Sequence, residues 1–380
     1  MTDDTSGTLD EALQRLHAAG PEREGWLSNH APMAVEALVR HGQERTVHRW
    51  LDRYRHKLEE MPGSYARITE ENWREALGDP RHLADWPAYF GRELSDRPWR
   101  DVLAVWWPRL LPGIAGGATH PLIRVGHAVR TLLDDPDGTT APRTAELAHA
   151  LGYWAARHAP LPPLAQLPGP ASGSAADALA AVEPIADKSG GIRERLPRLT
   201  ALPVWPPSAR TAPPTAQAPG RGPADRPEDA RRPEEAEARR PEEARRRLVE
   251  LVRAATHRYA THGHGEPVML VHAATAPNAV LRVLPALPRE LWAPSLDAAW
   301  AASAAVTAVY APSEPLPADR LPSAAGVTPE EVFARAAAHG DEHAIKLTDT
   351  ALDVARGARG TDATALAAAL HACALIDPAF

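Results

Sequence analysis

A single cysteine, Cys373, stands among the 380 residues, which excludes an internal disulfide and any multi-cysteine zinc or iron–sulfur site. That usage fits a reducing compartment, and the expected location is cytoplasmic. No basic excess exists either: the formal charge is -7 and the cations are interspersed with acids, so nucleic acid is not an expected partner. The N-terminus MTDDTSGTLDEAL is acidic and lacks an apolar signal core, and no run reads as long enough to span a bilayer, so no membrane is expected. The longest apolar candidate, 298–311, reads as a buried core helix. Sustained two-residue alternation rich in Val, Ile and Thr is missing, which argues against a β fold. Compact chemical signatures are missing too: there is no His-Glu-x-x-His, no Gly-rich phosphate loop, no Gly-x-Ser-x-Gly elbow and no dinucleotide-binding Gly-x-Gly-x-x-Gly. Phenylalanine is scarce (3) beside tryptophan (11). Trp faces suit stacking on a planar ligand, but ordinary core packing explains each of them better.

What is present is helical patterning. Amphipathic stretches run through 8–61, 70–77, 98–111, 121–134 and 142–158, punctuated by Gly and Pro. They resume at 246–260 and continue through 267–287, 295–309, 328–339, 341–357 and 362–376. The expected fold is all-α, with two helical halves (8–165 and 248–380) around one shared polar cavity and most simply forming one structural domain. Between them lies a Pro-rich linker or insertion, 166–247, of low complexity from 205. There ADRPEDA at 224 and ARRPEEA at 230 and 238 are near-copies of one unit. Proline should break any long helix there and the alternating charges should keep the segment solvated, disordered or partly helical.

Four places carry histidines of interest. His30 enters a helix with Ser28 or Asn29 available as cap and Pro32 in the first turn. His120 precedes Pro121, so it falls near the N-cap of its helix, and His127 follows seven residues later, opposite the Leu122, Val125, Val129 and Leu132 stripe. That helix either exposes its histidines or is buried on both faces. His272 lies in an apolar run, where each ring nitrogen needs a partner, structural or ligand. In HGDEHAIKLTD, His339, His343 and Lys346 fall at i, i+4 and i+7, although Gly340 loosens the helix between the first two. An ammonium beside imidazoles would repel a bound cation.

The blocks NHAPMAVEAL, HPLIRVGHAVR with AELAHALGYWAARH, VHAATAPNAVLRVLPALP and GDEHAIKLTD resemble, in this order, those of the questin oxidase-like family. The resemblance spans 25–160 and 255–355. It implies an α-helical oxygenase in secondary metabolism that uses O₂ for Baeyer–Villiger-like ring opening or oxidation of an anthraquinone-type aromatic polyketide. It further implies a non-haem iron site, Fe(2+), with four histidines and a carboxylated lysine as ligands. Carried onto this chain, those are His30, His120, His272, His343 and Lys346. His127 is the rival of His120, and His339 is an outside candidate for the fourth position. A carbamate formed from CO₂ on a neutral Lys346 amine would turn the unwelcome cation into an anionic oxygen ligand.

His127 and Glu342 are the candidate catalytic residues. Asp341 and Asp349 are further candidates to orient an imidazole or the lysine, though Asp341 reads better as a solvated charge. NADPH use is open, with no binding motif for it. The partners expected are a small aromatic polyketide and O₂. Two alternatives stand beside this reading: a metal-free oxygenase with a histidine general base, and a non-catalytic helical ligand-binding protein.

Overall fold

The computed structural model describes residues 5–136, 139–206, 227–357 and 361–379. The N-terminal part comprises α1 (Thr5–His17), α2 (Ala31–Arg40), α3 (Glu44–Tyr54), α4 (Trp73–Ala76), α5 (Asp85–Asp96), α6 (Trp99–Leu110), α7 (His120–Asp134) and α8 (Ala141–Ala156). Two short helices follow, α9 (Ala175–Ala180) and α10 (Ile192–Arg195). The C-terminal part comprises α11 (Pro227–His262), α12 (Pro267–Val283), α13 (Trp292–Tyr310), α14 (Pro329–His339), α15 (Glu342–Gly357) and α16 (Ala363–Leu375). Among the described residues the only strands are two small pairs: β1 (Glu22–Arg23) antiparallel to β2 (Leu27–Ser28), and β3 (Ala165–Leu167) parallel to β4 (Ala201–Pro203). The fold is all-α, as the absence of two-residue alternation requires.

Helix boundaries follow local chemistry. Prolines sit in the first turns of α2, α7, α8, α12 and α14, where no intrahelical N–H is needed. The Asn29 side chain accepts from the Ala31 amide at 3.0 Å at the entry to α2. Thr328 and Glu331 form a capping box on α14, and Gly340, at φ 80°, ends that helix and separates His339 from α15. α5, not among the expected helices, is punctuated by Pro87 and Gly91 but buries Trp86, Tyr89 and Phe90 at i, i+3 and i+4.

The apolar interior forms two clusters. The larger is built mainly on α5–α8 and α11–α13; the smaller joins α1, α2 and α3 with α14, α15 and α16. Each draws on both ends of the chain, so the two sequence halves interleave. Most of the tryptophans behave as core residues, with Trp86, Trp106, Trp107 and Trp154 fully buried, whereas Trp26 is exposed. α13 is buried nearly all round, as expected of 298–311.

Two expectations are corrected. The stretch Pro267–Ala286 is long and apolar enough by length and composition to cross a membrane, and 72% of that window is buried inside the fold, so its apolar character serves the core. From Pro227 the Arg/Glu repeats are helical and run into α11 through Pro241; Glu, Ala and Arg are strong helix formers, and their propensity outweighs the proline interruption there. The repeat residues 207–226 lie outside the described residues. Within 166–206, Ala178, Leu179, Leu202 and Trp205 join the larger core, and the Trp205 indole donates to the Gly173 carbonyl at 3.0 Å.

Candidate metal centre

α7 opens from an unusual backbone. Gly117, Ala118 and Thr119 all have positive φ (52°, 55° and 67°), and the two non-glycine residues cost about 1–2 kcal/mol each in that conformation. This left-handed stretch turns the Gly117 carbonyl back onto the His120 ring, whose Nδ1–H donates to it at 2.7 Å. On α12 the His272 Nδ1–H donates to the Met269 carbonyl at 2.9 Å. With each Nδ1 committed as a donor to a carbonyl, each neutral ring leaves a lone pair on Nε2, and those two atoms face each other at 2.7 Å. α7 and α12 approach closely enough for this because Gly126 has no side chain: a Cβ there would lie 2.6 Å from that of Ala279.

His30 and His343 complete the group. The His30 ring centroid lies 4.4 Å from that of His120 and 4.5 Å from that of His343, while His272 and His343 are 5.8 Å apart. Nitrogens of His30, His120 and His343 all lie within 4.8 Å of one another. All four rings are buried, His272 completely. Both His30 nitrogens and the His343 Nδ1 have no hydrogen-bond partner, nor does the Lys346 Nζ, on a residue only 1% exposed. The imidazoles come from both cores: α7 and α12 from the larger, α2 and α15 from the smaller.

Burial and neighbouring charges disfavour the protonated forms of His30, His120, His272 and Lys346. Burial, then the Lys346 charge and neighbouring imidazoles, hold His30 and His272 well below the ordinary histidine value. Burial, His272 and Lys346 do the same to His120. Burial pulls the Lys346 amine down to about 7, against partial opposition from Glu342 and Asp341. Glu342 itself is buried; both its oxygens accept from Lys57 Nζ at 3.1 Å, and one lies 4.0 Å from His30 Nδ1. The Tyr54 hydroxyl accepts from the His30 amide at 3.1 Å. Neither Lys57 nor Tyr54 was found from sequence, since nothing local in YRHKLEE marks either.

Asp341 is not a solvated charge. It is buried and caps α15, accepting from the amides of His343 and Ala344 at 2.8 and 3.0 Å. His127 is not brought to the four-ring group. Its Nδ1 is 2.6 Å from Glu36, and its Nε2 lies 3.4 Å from Arg282 and 4.0 Å from Asp349. Asp349 accepts from Arg130, Arg282 and His41 rather than from a clustered imidazole, so it orients none of them. α7 is thus buried on both faces, with an ion network one to two turns beyond the imidazoles. His339 bonds the Ile376 carbonyl at 3.0 Å, away from the cluster.

Four buried imidazoles with bare nitrogens, beside an unpartnered amine, define a candidate mononuclear metal centre in a helical protein. The donor set fits a first-row divalent ion: with metal–nitrogen bonds of about 2.1 Å, neighbouring ligand nitrogens stand about 3 Å apart, close to the spacing of the His120 and His272 Nε2 atoms. Residues 27–135 match the family described as Questin oxidase-like, and the matched segment carries His30, His120 and His127. No curated protein matches the chain.

Proposed function

We propose that the chain is an oxygenase that opens or oxidises a ring of an anthraquinone-type aromatic polyketide with O₂, at an iron held by His30, His120, His272, His343 and the carbamate of Lys346. The observation that carries this reading is the facing pair of Nε2 lone pairs on His120 and His272, 2.7 Å apart, which repel unless a cation lies beside them. Iron bound there would supply the one-electron chemistry through which O₂ reacts with an electron-rich phenolate.

The protein's own groups prepare that site. A Lys346 amine titrating at about 7 is partly neutral at pH 7. Its nitrogen lone pair can bond to the carbon of CO₂, releasing one proton and leaving an anionic carbamate. The Gly117 and Met269 carbonyls hold His120 and His272 in the tautomer that presents Nε2. Glu342, fixed by Lys57, lies 4.0 Å from His30 Nδ1, beyond hydrogen-bond reach but close enough to offset positive charge at the centre. An aromatic substrate would need a polar cavity to open between α2, α7, α12 and α15.

The metal-free alternative would use a histidine as general base, with His127 one candidate. His127 itself is poorly placed for that role, because its Nε2 faces Arg282. Metal analysis of the purified protein, together with oxygen uptake on hydroxyanthraquinones, tests the reading. Stoichiometric iron with chelator-sensitive uptake is expected. Uptake that survives iron removal would favour the metal-free oxygenase, and silence on several such substrates would favour a binding protein.

A further inference from the structure

His30 and His120 both stand at helix entries. His30 is the N-cap residue of α2, behind the β1–β2 hairpin, and His120 opens α7 behind the left-handed turn at 117–119. A side chain at such a place is only as fixed as the loop that leads into it, and loops are ordinarily the more mobile parts of a fold.

Both loops are moulded on the end of α8. The Trp154 indole donates to the Gly113 carbonyl at 3.1 Å, and Gly116 packs so closely on the Arg157 carbonyl that a Cβ there would overlap it. On the hairpin side, Arg157 Nε donates to Glu22 at 2.7 Å. The Tyr153 hydroxyl, on a residue 1% exposed, lies between the two loops. It donates to Glu22 at 3.1 Å. With its one proton committed there, it accepts from the Ser28 Oγ–H at 2.7 Å. Burial and the Glu22 charge keep the phenol protonated. The same oxygen stands against the turn, since a Cβ on Gly117 would lie 3.3 Å from it. Ser28 is two residues before His30, and the Gly117 carbonyl is the acceptor for His120 Nδ1–H. One buried oxygen therefore touches both segments that present these imidazoles.

We propose that Tyr153 is a positioning residue for the candidate metal centre: its hydroxyl sets the His30 and His120 segments relative to each other, so that their ring nitrogens meet one divalent ion. The inference rests on the reading of these two histidines as ligands. Removing the oxygen leaves the ring in the core and Glu22 on Arg157, but it frees Ser28 and takes away the wall behind Gly117. The loss then falls on the register of the two loops. Outer partners that orient ligating imidazoles change metal affinity roughly 10–100-fold when removed.

Cobalt(II) added to the metal-free full chain tests this, because its visible spectrum reads the ligand set and competition with a chelator reads the affinity. The variants are Tyr153→Phe, Ser28→Ala and, as a control, Leu147→Ala, which empties a fully buried position elsewhere on α8. Tyr153→Phe should bind cobalt roughly tenfold more weakly or worse, with an altered spectrum. Ser28→Ala should weaken it too. Leu147→Ala should melt at the lowest temperature of the set yet keep the wild-type affinity and spectrum. In the metal-free protein, the ¹⁵N signals of His120, identified by their absence in His120→Ala, should show the Nδ1–H tautomer in wild type and a mixture of tautomers in Tyr153→Phe. Wild-type cobalt affinity with an unchanged His120 tautomer in Tyr153→Phe would overturn the proposal. So would affinities that merely follow melting temperature across the variants. A wild type that binds neither cobalt nor iron would instead overturn the reading of a metal centre, and the His120 tautomer would still decide the role of Tyr153.

Discussion

Replacing Lys346 with methionine keeps most of the side-chain volume and removes only the buried amine, so the variant isolates what that nitrogen does. In the metal-free protein the amine titrates at about 7 against an ordinary value of 10.5. Because the unfolded chain binds the proton more tightly, the group destabilises the fold most fully below pH 7. The cost shrinks as pH rises and vanishes above 10.5. A displacement of that size corresponds to about 4 kcal/mol at pH 7. Lys346→Met should therefore make the metal-free protein several kcal/mol more stable at pH 7 in urea unfolding. It should also erase the rise in wild-type stability between pH 7 and 10. The same variant should fail to retain iron, since the proposed anionic ligand is gone. Iron content by elemental analysis, with native mass measurement of the wild type for an added CO₂, completes the assay. A variant less stable than wild type when metal-free, or one that retains stoichiometric iron, would refute the reasoning.

His120→Ala and His127→Ala should separate in effect: the first lowers iron retention with little change in helicity, while the second unfolds more easily, because Glu36 loses its 2.6 Å partner, and keeps more of its iron. Gly126→Ala places a methyl group 2.6 Å from Ala279 Cβ. Parting α7 from α12 should cost about 1–3 kcal/mol in chemical denaturation and weaken metal binding measured by competition with a chelator. Acid should destabilise the protein in two stages, followed by circular dichroism across pH 7 to 2. Burial and Arg124 hold His149 neutral down to about 3, so the unfolded chain gains protons first as pH falls below 6.5. Burial raises the Glu36 pKa, but Arg130 and His127 outweigh it and lower it to about 2, so its contribution, full above 4.5, is lost between 4.5 and 2. A flat stability profile from 6.5 to 4.5 would refute the first stage.

Much of this was legible in the sequence, for reasons that differ by residue. The all-α class followed from helical periodicity and from proline and glycine placed where helix ends tolerate them. His272 stood out because an imidazole in an apolar run must find partners, and His343 with Lys346 because their spacing shares one helix face. Their convergence with His30 and His120 could be expected only through the order of the blocks, since no local pattern joins residues hundreds of positions apart. What stayed illegible is long-range pairing. The Glu36, His127, Arg130 and Asp349 network spans three helices, so His127 looked as eligible as His120. The left-handed turn at Ala118 and Thr119 carries no sequence signal, because neither residue type favours it. Asp341 looked solvated because a capping carboxylate and a surface one read alike until the neighbouring amides are placed.

The spread of the clustered side chains along the chain also sets an order of events during synthesis. His30 and His120 leave the ribosome early, but His272 and then His343 and Lys346 follow only after the Arg/Glu repeats and α11 have been made. Until α15 emerges, His30, His120 and His272 lack the element that brings the last imidazole and the amine against them. Under the proposed reading, iron can be fully ligated only late, after most of the helices exist, and an early ion bound by His30 and His120 alone would be held by two imidazoles. Loading is then a check on completed folding: a chain interrupted before α15 could contain most of the core and still lack the centre on which its chemistry depends.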